Sequence, residues 1–242
     1  MGAQPSDPDE DNYDPQALPW ESPVHAVALS PFFLSEFEMT QGQWISLTGR
    51  KPSSYQQNEL ASTLLHPVEQ ISWQDCMVWL HRIGLILPSE AQWEYGARGQ
   101  TGTPWWTGAE RESLRAQRAA NLADQSAARA GTTWSAIEAW PDLDDGYAVH
   151  APVGVFSANP FGLHDTAGNV WEWCPDGYDV GFYSRSPTFD PVCPPRGFEY
   201  RVFRGGSFYA AATNARSANR NSHNPTFASH SLGVRPVRAI DP

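Results

Sequence analysis

Asp165 and Glu172 stand seven positions apart in FGLHDTAGNVWEW, residues 161–173, as hard oxygen donors flanking a glycine. Calcium takes about six to eight oxygens, and carboxylates with backbone carbonyls from one irregular loop are a common supply. Gly168 permits the tight turn that aims such carbonyls inward. Trp171 and Trp173 alternate as strand residues do, so a wet loop is expected to run into a buried strand. The same residues also read as a polar turn ahead of a Trp-rich core strand, and spacing leaves both readings open.

Other reactive side chains form weaker patterns. Cys76, Cys174 and Cys193 are too few and too irregular for a disulfide framework or a zinc site, although Cys174 and Cys193 are candidates to pair. His25, His66, His81, His150 and His164 are scattered without ligand spacing, and His66 before Pro67 reads as a turn residue. His223 and His230 share a segment with Ser217, but no nucleophile elbow accompanies them, so surface groups are the preferred reading. The RGGS at Arg204–Ser207 has no Walker lysine and reads as a strand bend close to another backbone. Lys51 is the only lysine, which weakens any lysine-based mechanism. No paired carboxylates stand out for glycoside chemistry.

The elements that must hold these groups are short. Val24 to Leu29 and Phe32 to Phe37 alternate apolar and polar positions and are expected to pair around Ser30-Pro31. Thr40 caps a helix over TQGQWISLTG that stops at Gly49. SWQDCMVWLHRIG from Ser72 is the clearest helix, with Trp73, Met77, Leu80 and Gly84 on one stripe and Cys76 and Ile83 beside it. Ser89 and Gln92 form a capping box for SEAQWEYGARG. Lys51 to Thr63 and Gln100 to Trp140 are the irregular stretches.

The 242 residues suffice for one sizeable core, and 11 Trp, 11 Phe and 8 Tyr supply large buried surfaces. The 19 Gly and 21 Pro predict much irregular structure. A mean hydropathy of −0.48 and the absence of a long apolar run exclude a membrane-spanning helix. The net charge of −11 argues against a nucleic-acid partner. Residues 1–22, with Asp7, Asp9, Glu10, Asp11 and Asp14, read as an acidic mobile arm or an edge-covering loop ahead of a single domain over 23–242. From Arg196 onward 7 arginines face only Glu199 and Asp241, and pairing with internal carboxylates is preferred over an acidic partner.

GNVWEW preceded by NPFGLHDTAG resembles the central signature of the formylglycine-generating enzyme (sulfatase-modifying factor) family. The likeness runs nearly the whole chain: Met1-Gly2, PVHAVALSPFFLSEFEMTQGQW, HPVEQISW, LPSEAQWEYGARG, RVFRGGSF, RSANRN and LGVRP follow in family order. The resemblance implies an irregular α+β fold, a C-type-lectin-like variant with short twisted antiparallel sheets, a few helices and much coil. Family members carry Met-Gly inside their first strand, so the chain is expected to be a domain of a longer protein, and no compartment is assigned. The resemblance also implies two calcium sites. Asn121, Leu122, Asp145 and Tyr147 match the first, although Asp145 reads equally as a turn residue. Asp165, Gly168, Val170 and Glu172 match the second, with Asp165 where some relatives carry Asn.

Enzymatic members oxidise a cysteine to formylglycine with two copper-binding cysteines near the C-terminus, whose thiolates select Cu(I). On the family frame these positions fall on Ala212 and Ser217, which cannot hold Cu(I), so neither copper nor a catalytic residue is expected. The segment 208–231 instead mixes aromatic, amide and small polar residues in no hydrophobic period, as adaptable binding surfaces do. Phe208, Tyr209, Thr213, Ser222, His223, Thr226, Phe227, Ser229, His230 and Ser231 lead this face. The segment lacks Lys, Glu, Gln, Met and Trp, the signature of retroelement-diversified variable proteins from bacteria. The expected function is a monomeric, non-catalytic domain that binds a protein or small ligand. The alternatives are an atypical formylglycine-generating oxidase and a regulatory module of a kinase-like chain.

Overall fold

The computed structural model describes residues 1–56, 62–195 and 199–240. Residues 57–61 of the polar stretch at Lys51–Thr63 lie outside it, as do Arg196 and Asp241 of the charge pattern.

The two capping signals read from the sequence, at Thr40 and Ser89, form as expected, and Ser72 adds a third. In α1 (Gln41–Thr48), the Thr40 hydroxyl accepts from Gln43 N at 3.2 Å, the Gln43 side chain accepts from Thr40 N at 2.8 Å, and Gly49 closes the helix at φ 71°. Ser72 with Asp75 opens α2 (Trp73–His81), and Ser89 with Gln92 opens α3 (Glu90–Arg98). The stripe on α2 differs from expectation. Cys76 and Leu80, four positions apart, carry the buried face, whereas Met77, one position round the helix from Cys76, is exposed, and Ile83 and Gly84 lie beyond the helix end. Short helices α4 (Glu112–Ala116), α5 (Gln125–Arg129) and α6 (Ala136–Ala139) punctuate the irregular stretch.

Strands β2 (Trp171–Gly177), β3 (Arg201–Arg204), β4 (Asn221–His223) and β5 (Leu232–Gly233) form a sheet in the order β4-β3-β2-β5. The sheet is not wholly antiparallel: β5 runs parallel to β2, so the chain end re-enters beside the Trp-rich strand. Trp173 and Phe203 meet edge-on at 5.3 Å in the main core, with Trp44, Ile71, Leu80 and Leu232 around them.

The two expected N-terminal strands do not pair with each other. Among the described residues, 24–29 make only an isolated bridge from Ala28 to Phe189. β1 (Phe32–Leu34) instead pairs with β6 (Val237–Ala239), tying the start of the domain to its end. Residues 1–22 are docked rather than a free arm. Asp14 and Glu21 are buried, and Arg216 grips them at 2.5 and 2.8 Å. Internal pairing also takes three more C-terminal arginines: Arg204 with Glu90 and Glu94, Arg220 with Glu90, and Arg235 with Glu172. Arg201 instead donates to the Glu199 carbonyl, and Arg238 lies over the Phe33 ring. Cys174 and Cys193 form no disulfide, and all three cysteines are buried and free.

Candidate binding face and metal frames

The loop around Asp165 is buried, not wet. Asp165 and Glu172 are both shielded from solvent, and Asp165 holds φ 59°. Its Oδ2 accepts from Gly154 N at 2.7 Å, while Oδ1 is buried without a partner. Burial pushes the Asp165 carboxyl up to about 6. Glu38 lies alongside, accepting from Val170 N at 3.0 Å. Burial, then the charges of Asp165 and Glu172, raises Glu38 well above the usual carboxylate range. Glu172 is gripped by Arg235 and accepts from Trp93 Nε1 at 2.6 Å. Three buried carboxyls thus share one guanidinium.

The first frame also assembles. Asp145 accepts from Leu122 N and from Tyr147 N, each at 2.9 Å. Asn121 donates to Val149 O at 3.0 Å, which leaves its buried Oδ1 without a partner. Burial, then the charge of Asp124, pushes Asp145 up to about 8. The two frames touch where Asn169 N donates to Asn121 O at 2.9 Å. Orphaned hard oxygens and carboxyls short of positive charge fit a calcium ion in donor type. In the second frame, Arg235 and Trp93 already occupy the Glu172 oxygens. Among the described residues, no three His, Cys, Asp or Glu side chains are arranged to hold a metal by themselves.

Ala212 and Ser217 bracket a turn of 3-10 helix (Ala212–Ala215) and are both buried. Ala212 O accepts from Trp105 Nε1 at 3.1 Å, and Ser217 N donates to Pro104 O at 2.7 Å. A β-carbon on Gly206 would stand 3.1 Å from the Ala215 backbone, so the RGGS bend packs against this turn. The cysteines lie elsewhere: Cys76 on α2, Cys174 in β2, and Cys193 against Phe182 and Tyr183. Burial pushes the Cys193 thiol up to about 11 and also raises Cys76 and Cys174, as expected of inert thiols.

The expected binding residues divide into two patches and a floor. Phe208 and Ser231 are each only 1% exposed, so they lie beneath the face rather than on it. Tyr209 and His230 form one patch, with ring centroids 5.7 Å apart. Trp134 lies 5.9 Å from Tyr209, and Tyr55 lies 5.9 Å from His230. The second patch stacks His223 on Phe227 at 3.7 Å, with Tyr200 5.9 Å from His223, beside edge strand β4. Thr213 and Thr226 are exposed, and Ser222 and Ser229 are half-buried. The sequence reading missed Tyr55, Trp134 and Tyr200. The only available signal was a lone aromatic in a polar stretch, as in KPSSYQQ and AGTTWSA.

Residues 1–240 match the model of the sulfatase-modifying factor enzyme 1-like domain. The chain belongs to that family. A formylglycine-generating enzyme of Streptomyces coelicolor is 33% identical across 91% of this chain and 82% of its own length. Among solved structures, PvdO from Pseudomonas aeruginosa superposes with a TM-score of 0.75 at 23% identity, covering 99% of this chain and 90% of that one. Treponema denticola variable protein 1 gives 0.73 at 22% identity, covering 99% and 92%. At such identities the structural likeness is one of fold, the mixed, C-type-lectin-like architecture of the sulfatase-modifying family. Within that family scaffold, α3 supplies Glu90 and Glu94, which hold Arg204 at the start of the RGGS bend, and Arg204 in turn donates to the Ser217 and Ala218 carbonyls.

Proposed function

We propose that this family member is a ligand- or protein-binding domain that has lost formylglycine chemistry, with its binding face in the segment 208–231. The observation that carries the reading is the pair Ala212 and Ser217, a methyl and a hydroxyl where copper-binding thiols are expected, with every cysteine buried elsewhere. Two thiolates bind Cu(I) because soft ligands match a soft ion, and neither replacement is soft. The aromatic patches around Tyr209 and around His223 supply rigid contact area at low entropic cost. The absence of Lys, Glu, Gln, Met and Trp from 208–231 is the feature that supports retroelement diversification of this segment. Calcium, held at the first frame by Asn121 and Asp145 and at the second by Asp165 Oδ1 and backbone carbonyls, since Arg235 and Trp93 take the Glu172 oxygens, serves to fix the loops under the face.

The test is turnover of a cysteine-containing sulfatase peptide with copper and oxygen. The expected result is inertness of the native chain, with Cu(I) binding gained by the double variant Ala212→Cys/Ser217→Cys. The second reading, an atypical oxidase, is favoured by the 33% identity to a formylglycine-generating enzyme over most of both chains. Aldehyde formation on the peptide by the native chain would establish it.

A further inference from the structure

Beneath Tyr209 and His230 the structure buries a carboxylate that no arginine holds. Glu21, Glu90, Glu94 and Glu172 are also buried, and each is gripped by a guanidinium. Glu69 differs. It is 0% exposed, its Oε1 accepts from Tyr55 N at 2.9 Å, and its Oε2 has no partner. Among the described residues no arginine or lysine is paired with it; the basic groups near it are imidazoles, His150, whose Nε2 stands 3.8 Å from Oε1, too far for a hydrogen bond, and His230. Both ring nitrogens of the buried His150 are without partners.

The neighbouring imidazoles do not supply the missing charge. His66 lies 5.2 Å from His150 between ring centroids, and burial holds it down to about 4, neutral at physiological pH. Burial also lowers His230, although the charge of Glu69 opposes that shift. Over this floor stand aromatic rings. Tyr55 is 5.2 Å from His150, and Phe208 links it to Trp134 at 5.6 Å and Tyr209 at 5.8 Å. Aromatic faces attract cations through their quadrupole, and an uncompensated carboxylate below adds to that field.

We propose that Tyr55, Trp134, Tyr209 and His230 form a recognition site for an organic cation, an alkylated ammonium group on the ligand, with Glu69 as its buried counter-charge. The proposal rests on the binding-face reading and gives it a ligand chemistry. A neutral or anionic group would leave Glu69 unbalanced, whereas an ammonium over the rings completes the charge pairing that arginines provide elsewhere in the molecule.

The test is a calorimetric titration of the calcium-loaded protein with choline and with 3,3-dimethyl-1-butanol, which has the same shape without the charge. Choline is expected to bind about tenfold more tightly than the alcohol. Tyr209→Ala, at the surface, is expected to weaken choline binding by a similar factor, and Glu69→Gln to abolish the preference for choline. Because Glu69→Gln touches a buried site, its melting temperature is checked first, and Trp134→Leu is the substitute if it fails to fold. Equal binding of both probes, lost in Tyr209→Ala, would overturn the cation site while leaving the binding face intact. Binding of neither probe, or choline binding indifferent to Tyr209→Ala and Trp134→Leu, would overturn the proposal outright.

Discussion

Gly168 approaches Asn121 so closely that a β-carbon on the glycine would stand 1.9 Å from the Asn121 carbonyl oxygen. The contact joins the two frames, since the next residue, Asn169, donates its N–H to that same oxygen. Gly168 also sits at φ 90°, which L side chains rarely adopt. Gly168→Ala is therefore expected to cost about 3 kcal/mol or more, from backbone overlap and strain together. Urea unfolding measures it, and a loss below about 1 kcal/mol would show that the contact relaxes freely.

Calcium added to chelator-treated protein is expected to raise the melting temperature, by about 2.7 kcal/mol of stabilisation at a hundredfold excess over Kd for one site. Asp145→Asn and Asp165→Asn are each expected to remove part of that gain, because they weaken different frames. Calorimetric stoichiometry falling from two ions to one in either variant would assign the frames separately. No shift in the native protein would count against both.

Asp176 carries a pH dependence of its own. It accepts from Glu90 N at 2.8 Å and Cys193 N at 2.9 Å, and burial, then the charge of Glu90, pushes it up to about 7. The folded state therefore binds a proton that the unfolded chain releases near 3.8. That contribution is fully present below the unfolded value and is lost as pH rises through about 7. In chelator, where Asp145 and Asp165 act with the same sign, the melting temperature is expected to fall between about pH 5 and 8. Asp176→Asn should flatten the fall, and an unchanged slope in that variant would place the proton elsewhere.

Phe208 and Tyr209 are neighbours with opposite assignments. Phe208 is buried, so Phe208→Ala is expected to cost about 3–5 kcal/mol of stability. Tyr209 is 36% exposed, so Tyr209→Ala should leave stability within about 0.5 kcal/mol while weakening ligand or partner binding by about 1.4 kcal/mol, tenfold. Thermal unfolding and a binding titration on both variants separate the roles, and a large stability loss in Tyr209→Ala would move it into the core.

Much of the local structure was legible because its causes are local. Thr40, Ser72 and Ser89 each cap a helix through a residue three positions on, and a hydroxyl at that spacing needs no distant partner. The family motifs singled out Asn121, Asp145, Asp165 and Glu172, and in the fold the two segments meet where Asn169 N donates to Asn121 O. The strand expected over 24–29 failed for the converse reason. Alternation describes a segment that suits a sheet, but the neighbour supplying its hydrogen bonds is chosen elsewhere, and β1 pairs with β6 some two hundred residues away.

By itself, the sequence determined the family scaffold, the helix caps at Thr40 and Ser89, the glycine positions and the absence of thiols at Ala212 and Ser217, since each depends on residue type and short spacing. Only the tertiary structure decided which aromatic rings share a surface, that Phe208 and Ser231 lie beneath it, and that Tyr55 and Trp134 complete it. It alone also decided which carboxylates keep an arginine: Glu21 meets Arg216 across 195 residues, while Glu69 meets none among the described residues. Burial and long-range pairing set the energy of a charge, and a one-dimensional spacing carries neither.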